Sequence, residues 1–306
     1  MSALSRHLDD YLTARRALGF KLVHPGRILA QLVAHVEAAG SPVLTCALMI
    51  EWAQLPESAA PITVSQRIGA ARKFATYMAT IDPATEIPAP GVLAARQIRQ
   101  APYLWSQPDI ARLLQAAGRL SPDLHAHTCQ TLFGLLAVTG MRVGEALRLT
   151  GRDADLAEGV LTVRESKFGR SRLVPLHPHT TEALSVYATH RSRTGHGEAR
   201  GAFFVNRHGR ALGYGTAHTA FVDLTVELGL RTATVHPRMH DLRHSFAVNT
   251  LIGWYRAGDD VGARIGVLST YLGHVAPSGT YWYLTAVPEL MQLAATRLAT
   301  APRTLR

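Results

Sequence analysis

Two stretches near the C-terminus concentrate side chains able to hold an anion or move a proton. "HPRMHDLRHSFAVNTL" carries His236, His240, Arg243 and His244, and "YLGHVAPSGTYWYL" carries His274 with Tyr271, Tyr281 and Tyr283. His240 and Arg243 are three apart and share a helix face. A histidine and a guanidinium on one face bind a phosphate and can move a proton beside it. His240 and His244 also have the four-residue spacing of a helical zinc pair. No glutamate directly follows the first histidine, and Pro237 interrupts the helix beside His236. A metal-dependent hydrolase built on His236, His240 and His244 is the competing chemistry. Tyr281 and Tyr283, two apart, would point to nearly opposite sides of a helix, so only one can act as a nucleophile.

Two further groups lie upstream. "TGMRVGEALRL" places Arg142 just after Gly140, at an expected helix start. A cation there opposes the positive end of the helix dipole unless an anion binds at the same end. Glu145, three residues on, can hold the arginine; a surface ion pair is the other reading of the same spacing. Lys167 sits in the turn of "ESKFGRS". The chain has 29 arginines but only three lysines, Lys21, Lys73 and Lys167. A lysine where arginine is the rule points to a task arginine cannot perform. Lysine can give up a proton, which makes Lys167 a candidate general acid.

These groups need elements to position them. Leu4, Leu8, Tyr11 and Leu12 recur at helical spacing, as do Leu29, Leu32, Val33 and Val36 before Gly40. Thr45 is placed to cap a third helix containing Leu48 and Trp52. A fourth runs through Val64, Ile68, Ala71, Ala75 and Met78 and carries Arg67, Arg72 and Lys73 on its polar side. Pro83, Pro88 and Pro90 then read as a semi-rigid linker. "WSQPDIARLLQAA" and "SPDLHAHTCQTLFGLLAVTG" open the second half as capped helices. "GVLTVRESKFGRSRLVPL" alternates like two strands around a turn at 167–170, and helices resume after Thr216. No internal repeat or low-complexity segment is evident.

Composition narrows the classes. A net charge of +10, spread over both halves, suits a polyanion such as nucleic acid. No run approaches the roughly 18 apolar residues of a membrane span. "MSALSRHLDDYL" is polar where a signal peptide needs an apolar run, so a cytoplasmic protein is expected. Cys46 and Cys129, far apart, read as two buried thiols.

The order Arg142, Lys167, His240-x-x-Arg243, His274 and tyrosine, with the neighbours "TGMRVGEALRL", "HDLRHSFA" and "YLGH", resembles the tyrosine recombinases, or phage integrase family. The likeness covers residues 100–290. It implies a mainly α protein, with a four-helix core-binding domain at 1–82, a Pro-rich linker at 83–100, and an α+β catalytic domain with a small antiparallel sheet at 101–306. It implies that Arg142, Lys167, His240, Arg243, His274 and Tyr283 are catalytic; Glu145 is placed to support Arg142, and the face of Arg67, Arg72 and Lys73 reads either as DNA-binding or as a solvated helix face. The family nucleophile usually falls nine residues after the histidine of the "LGH" motif, which selects Tyr283. Tyr281 is the rival at plus seven, because Pro277 and Gly279 depart from the commonest pattern.

The implied reaction forms a 3′-phosphotyrosyl link with no metal, ATP or cofactor. The implied partners are double-stranded DNA and three further protomers of a synaptic tetramer. In the family the terminal helix, here with Leu290, Met291, Leu293 and Leu298, docks on a neighbour. "YWYLTAVPELM" resembles the ending of transposon-borne members, which often act with companion recombinases, in the bacterial nucleoid. A non-catalytic DNA-binding relative is the alternative, against which the intact catalytic set argues. A type IB topoisomerase shares the chemistry but is longer.

Overall fold

The computed structural model describes residues 2–55, 57–95, 101–164, 171–195, 201–274, 278–285 and 288–300, and the chain divides into two compact units, 1–100 and 101–306. The first unit holds four helices: α1 (Ala3–Ala17), α2 (Val23–Ala38), α3 (Cys46–Gln54) and α4 (Pro61–Met78). Thr45 caps α3 by accepting from the Leu48 N–H, as its position before an apolar run requires. Leu32, Val36, Met49, Trp52, Ala71 and Phe74 are fully buried in one core. Burying such side chains contributes about 1.5–3 kcal/mol each.

The expected linker differs from its reading as far as it is described. Its prolines do stop α4, but the chain then packs back on the helices. Glu86 N–H donates to the Leu44 carbonyl at 2.9 Å, and Arg72 donates to the carbonyls of Pro88 and Ala89 at 2.9 and 2.8 Å. Val92 and Leu93 pack against the same core. Proline removes a donor yet leaves its carbonyl free to accept, so a Pro-rich stretch can be tied down by a neighbouring arginine.

The second unit begins with α5 (Gln107–Ala117) and α6 (Asp123–Thr139) and a single short turn, α7 (Val143–Ala146). A sheet follows, of β1 (Ala154–Asp155), β2 (Val160–Val163) and β3 (Arg172–Pro175), antiparallel and in sequence order. Register pairs Leu161 with Val174 and Val163 with Arg172; Leu161, Val163 and Val174 are buried on one face. The turn of this hairpin, with Lys167, lies outside the described residues. Then come α8 (Pro178–Arg193), α9 (Tyr214–Glu227), α10 (Met239–Arg256), α11 (Val261–Leu272), α12 (Ser278–Thr285) and α13 (Pro288–Thr300).

Helix α8 departs from the expectation that helices resume only after Thr216. Its His, Ser and Thr content masks a buried stripe of Leu184, Tyr187 and Arg191 at i, i+3 and i+7. Buried Arg191 donates from Nη1 to the carbonyls of Ala202 and Phe203, at 3.0 and 2.7 Å. Leu132, Phe133 and Leu136 of α6 pack in the main core, and Val248, Leu251 and Leu268 of α10 and α11 form a second one with Tyr283. No described helix is long and apolar enough to cross a membrane.

Candidate active site

Helix α6 ends at Gly140, which sits in the left-handed region at φ 60 and donates to the Leu136 carbonyl. A Cβ there would meet Phe246 Cδ1 at 2.5 Å, so the position excludes a side chain twice over. The turn aims the Gly140 carbonyl at Arg243, whose Nη1 donates to it at 2.8 Å. Helix α11 ends likewise at Gly273, with φ 69. Its terminal carbonyls gather three guanidiniums: Tyr271 accepts from Arg172 at 2.8 Å, Leu272 from Arg243 at 2.9 Å, and Gly273 from Arg142 at 3.0 Å. The last carbonyls of a helix have no partner within it and carry its negative partial charge. This helix end therefore serves as a cradle for cations.

Glu145 closes the arrangement. Buried to 4% exposure, it accepts from the backbone N–H and Nη1 of Arg142, at 3.0 and 2.7 Å, and from Nη1 and Nη2 of Arg172, at 3.1 and 2.8 Å. Burial alone would raise its pKa. The hydrogen bonds and charge of Arg172, then of Arg142, more than offset this and hold it down at about 2. Asp241 repeats the device at the start of α10, accepting from the Arg238 backbone N–H at 2.8 Å and from its Nη2 at 2.7 Å. That fixes the start of the helix whose first two turns carry His240, Arg243 and His244.

Tyr283 is buried, at 2% exposure, with its ring 5.4 Å from that of His244 and 6.0 Å from that of His274. Tyr281, on the other side of α12, is half exposed. His240 is exposed to solvent, with its ring 4.7 Å from that of His244. Burial, then the charge of Arg243, pushes the pKa of His240 down to about 4, and the same two causes push His274 down to about 4. Burial, followed by the charge of His240, takes His244 to about 3. Burial and Arg142 lower Arg243 to about 10, opposed by its contact with Tyr283. At neutral pH the helix-end cradle thus holds Arg142, Arg172 and Arg243 against the Glu145 carboxylate, Asp241 is matched by Arg238, and the three imidazoles are neutral. That leaves an excess of positive charge facing uncharged groups able to take up a proton.

The structure brings together Arg142, Glu145, Arg243, His240, His274 and Tyr283 of the expected set. Two contributors, Arg172 and Asp241, were not singled out in the sequence, and His244 stands beside Tyr283 where the sequence offered it only as a metal-ligand candidate. His236 instead places Nδ1 3.2 Å from Arg231 Nη1. Among the described residues, His236, His240 and His244 do not converge as metal ligands, and the single grouping with suitable donors is Asp123, His127 and His190 on α6 and α8. Arg67 stacks 4.0 Å over the Trp52 ring and donates to its carbonyl at 2.6 Å. Arg72 is held by the carbonyls described above, whereas Lys73 is exposed beside a cleft of about 600 Å³ that Arg15, His24 and Gln66 also line.

Residues 106–289 match the phage integrase family. The chain is 43% identical, over 97% of its length and 98% of the relative's, to "Putative integrase/recombinase y4rB" of Sinorhizobium fredii. It is 28% identical, over 72% of its length and 70% of the relative's, to tyrosine recombinase XerD of Oceanobacillus iheyensis. Among solved structures, the Tn1549 transposon integrase in complex with transposon right end DNA superposes with a TM-score of 0.63. That alignment covers 98% of this chain and 100% of the other at 14% identity, a likeness of fold.

Proposed function

The chain belongs to the phage integrase family and is a tyrosine-type site-specific recombinase, and we propose that it cuts and rejoins duplex DNA through a 3′-phosphotyrosine on Tyr283, in the integration or transposition of a mobile element. The observation that carries the assignment is the placement of Tyr283 against Arg243, His244 and His274, beside arginines gathered at the end of α11.

A phenol of ordinary pKa ~10 costs about 4 kcal/mol to ionise at pH 7. His240, neutral at that pH, takes the proton as the phenolic oxygen attacks phosphorus. Arg142 and Arg243 hold the non-bridging oxygens, on which charge grows towards the pentacovalent state. His274 Nδ1 lies 2.7 Å from the Thr280 hydroxyl, which is fully buried. Taking that hydroxyl as donor leaves a neutral His274 with an Nε2–H for the phosphate. The P–O5′ bond breaks and Lys167 protonates the departing oxygen. The phosphotyrosyl ester keeps the bond energy, so a second 5′-hydroxyl can reverse the step without ATP or metal.

Double-stranded DNA is the partner this chemistry requires; the resemblance to the family adds further protomers in a synaptic tetramer through the terminal helix, and companion recombinases. The site of action is the bacterial nucleoid. Incubation with nicked suicide DNA bearing the ends of the native element, in the presence of chelator, tests the proposal on denaturing gels. A covalent adduct is expected from wild type and Tyr281→Phe and none from Tyr283→Phe. Binding without any adduct would favour a non-catalytic DNA-binding relative; loss in Tyr281→Phe alone would move the nucleophile.

A further inference from the structure

On the face where α6 packs on α8, Asp123, His127 and His190 point their donor atoms into one space. His127 Nε2 lies 3.5 Å from Asp123 Oδ1, and His190 Nε2 lies 3.0 Å from Asp123 Oδ2. The donor atoms of all three residues lie within 4.8 Å of one another. The two imidazole rings are 4.1 Å apart, tilted by 31°. The His190 Nε2 atom is buried and, despite its nearness to the carboxylate, makes no hydrogen bond of acceptable geometry among the described residues. A plain ion pair would align an N–H with an oxygen lone pair. Donors that converge without aligning are arranged for something between them.

We propose that this cluster is a divalent-metal site, with zinc its occupant, that clips α6 to α8. Zinc binds imidazole nitrogen at about 2.0–2.1 Å and carboxylate oxygen at about 2.0–2.2 Å. The edges of such a tetrahedron are then about 3.4 Å; the histidine–aspartate separations of 3.5 and 3.0 Å run to different carboxylate oxygens, so the carboxylate must turn to present one oxygen to both imidazoles. The donor set, two borderline nitrogens and one hard oxygen, suits first-row divalent ions over magnesium or calcium. Asp123 is 74% exposed and His190 23%, so the site opens to solvent on the carboxylate side, where water completes the coordination. Asp123 and His127 stand one turn apart on α6, whereas His190 comes from the far end of α8, so the ion cross-links two elements 63 residues apart in the chain. It would lie roughly 20 Å along α6 from Gly140, away from the arginine cradle. Its role is structural, separate from strand transfer.

The test titrates zinc into metal-free full-length protein against a chromophoric competing chelator. Wild type is expected to take up one equivalent more than His127→Ala and one more than Asp123→Asn, an isosteric change at an exposed position that leaves the packing intact. His179→Ala, at the opposite end of α8 and outside the cluster, is expected to match wild type. Saturating zinc is expected to raise the thermal midpoint of wild type by roughly 5–10 °C and not that of Asp123→Asn. Equal uptake and equal thermal shift in wild type and Asp123→Asn would overturn the proposal, as would no uptake by wild type. DNA adduct formation is expected to survive chelation. A loss restored by zinc in wild type and Asp123→Asn alike would place the ion elsewhere and also overturn it.

Discussion

Glu145 gathers two guanidiniums and a backbone N–H around a single buried carboxylate, and it holds Arg142 and Arg172 in the places that face the site. Glu145→Gln leaves both cations facing a neutral amide. Breaking a fully buried pair costs roughly 3–5 kcal/mol. The Arg142 side chain is 27% exposed and solvent makes up part of the loss, so about 2 kcal/mol is expected by urea denaturation at pH 7. Acid separates this carboxylate from the histidines. A folded pKa of about 2, below the ordinary 4.5, gives stability that is complete above pH 4.5 and lost as pH falls towards 2. His240 and His244, held at about 4 and about 3 against an ordinary 6.5, stay neutral in the fold while the unfolded chain takes up protons. Their contribution is complete above pH 6.5 and declines as pH falls towards 3, overlapping the upper part of the Glu145 window. Stability measured against pH should therefore begin to fall below pH 6.5 and fall more steeply below 4.5, with His244→Gln flattening the upper part of the profile and Glu145→Gln the lower. A profile unaffected by either variant would contradict these environments.

At the scale of elements, two glycine-terminated helices make the site. The carbonyls at the end of α11 and the one at Gly140 form it because both chains turn sharply in the left-handed region. Gly140→Ala adds left-handed strain, about 1–2 kcal/mol, to a methyl pressed on Phe246, about 1–3 kcal/mol. Roughly 3 kcal/mol of destabilisation and at least a ~10²-fold slower adduct formation are expected, since the Gly140 carbonyl moves with the clash and Arg243 with it. Gly229, with φ 68 and open space around it, is the control: Gly229→Ala should lose only about 1 kcal/mol and keep its cleavage rate. Equal effects of the two would mean that the contact with Phe246 is not what matters. This also marks what the sequence could reveal. Arg142–Glu145 and His240–Arg243 were legible because their geometry is local, three residues within one turn. Arg172 was not, because its partners lie 27 and 99 residues away and it reaches them through strand register. The carbonyl cradle has no side-chain signature at all. Glycine at 140 and 273 was the only trace, and it reads equally as an ordinary helix stop.

For the whole molecule, the question is which of the many arginines serve DNA and which serve the fold. A net charge of +10 predicts that affinity falls steeply with salt, log K dropping by about 0.9 per phosphate neutralised for each tenfold rise in salt. The charge count overstates the cations on offer. Arg67 is engaged with the Trp52 ring and carbonyl, and Arg72 with the carbonyls of Pro88 and Ala89, while Lys73 is exposed at the rim of a basic cleft. The helix face carrying all three looks uniform in the sequence, yet the three should separate on substitution. Lys73→Gln is expected to lower the salt slope by about 1 with stability unchanged. Arg67→Gln is expected to lose about 1–2 kcal/mol of stability, from a stacked cation and a carbonyl bond, with its slope unchanged. Filter binding across a salt series, paired with urea denaturation of the same variants, reads both quantities. The reverse pattern, in which Arg67→Gln flattens the slope and leaves stability intact, would mean that its guanidinium leaves Trp52 for the backbone when DNA arrives. The first unit would then reorganise on binding instead of presenting a preformed surface.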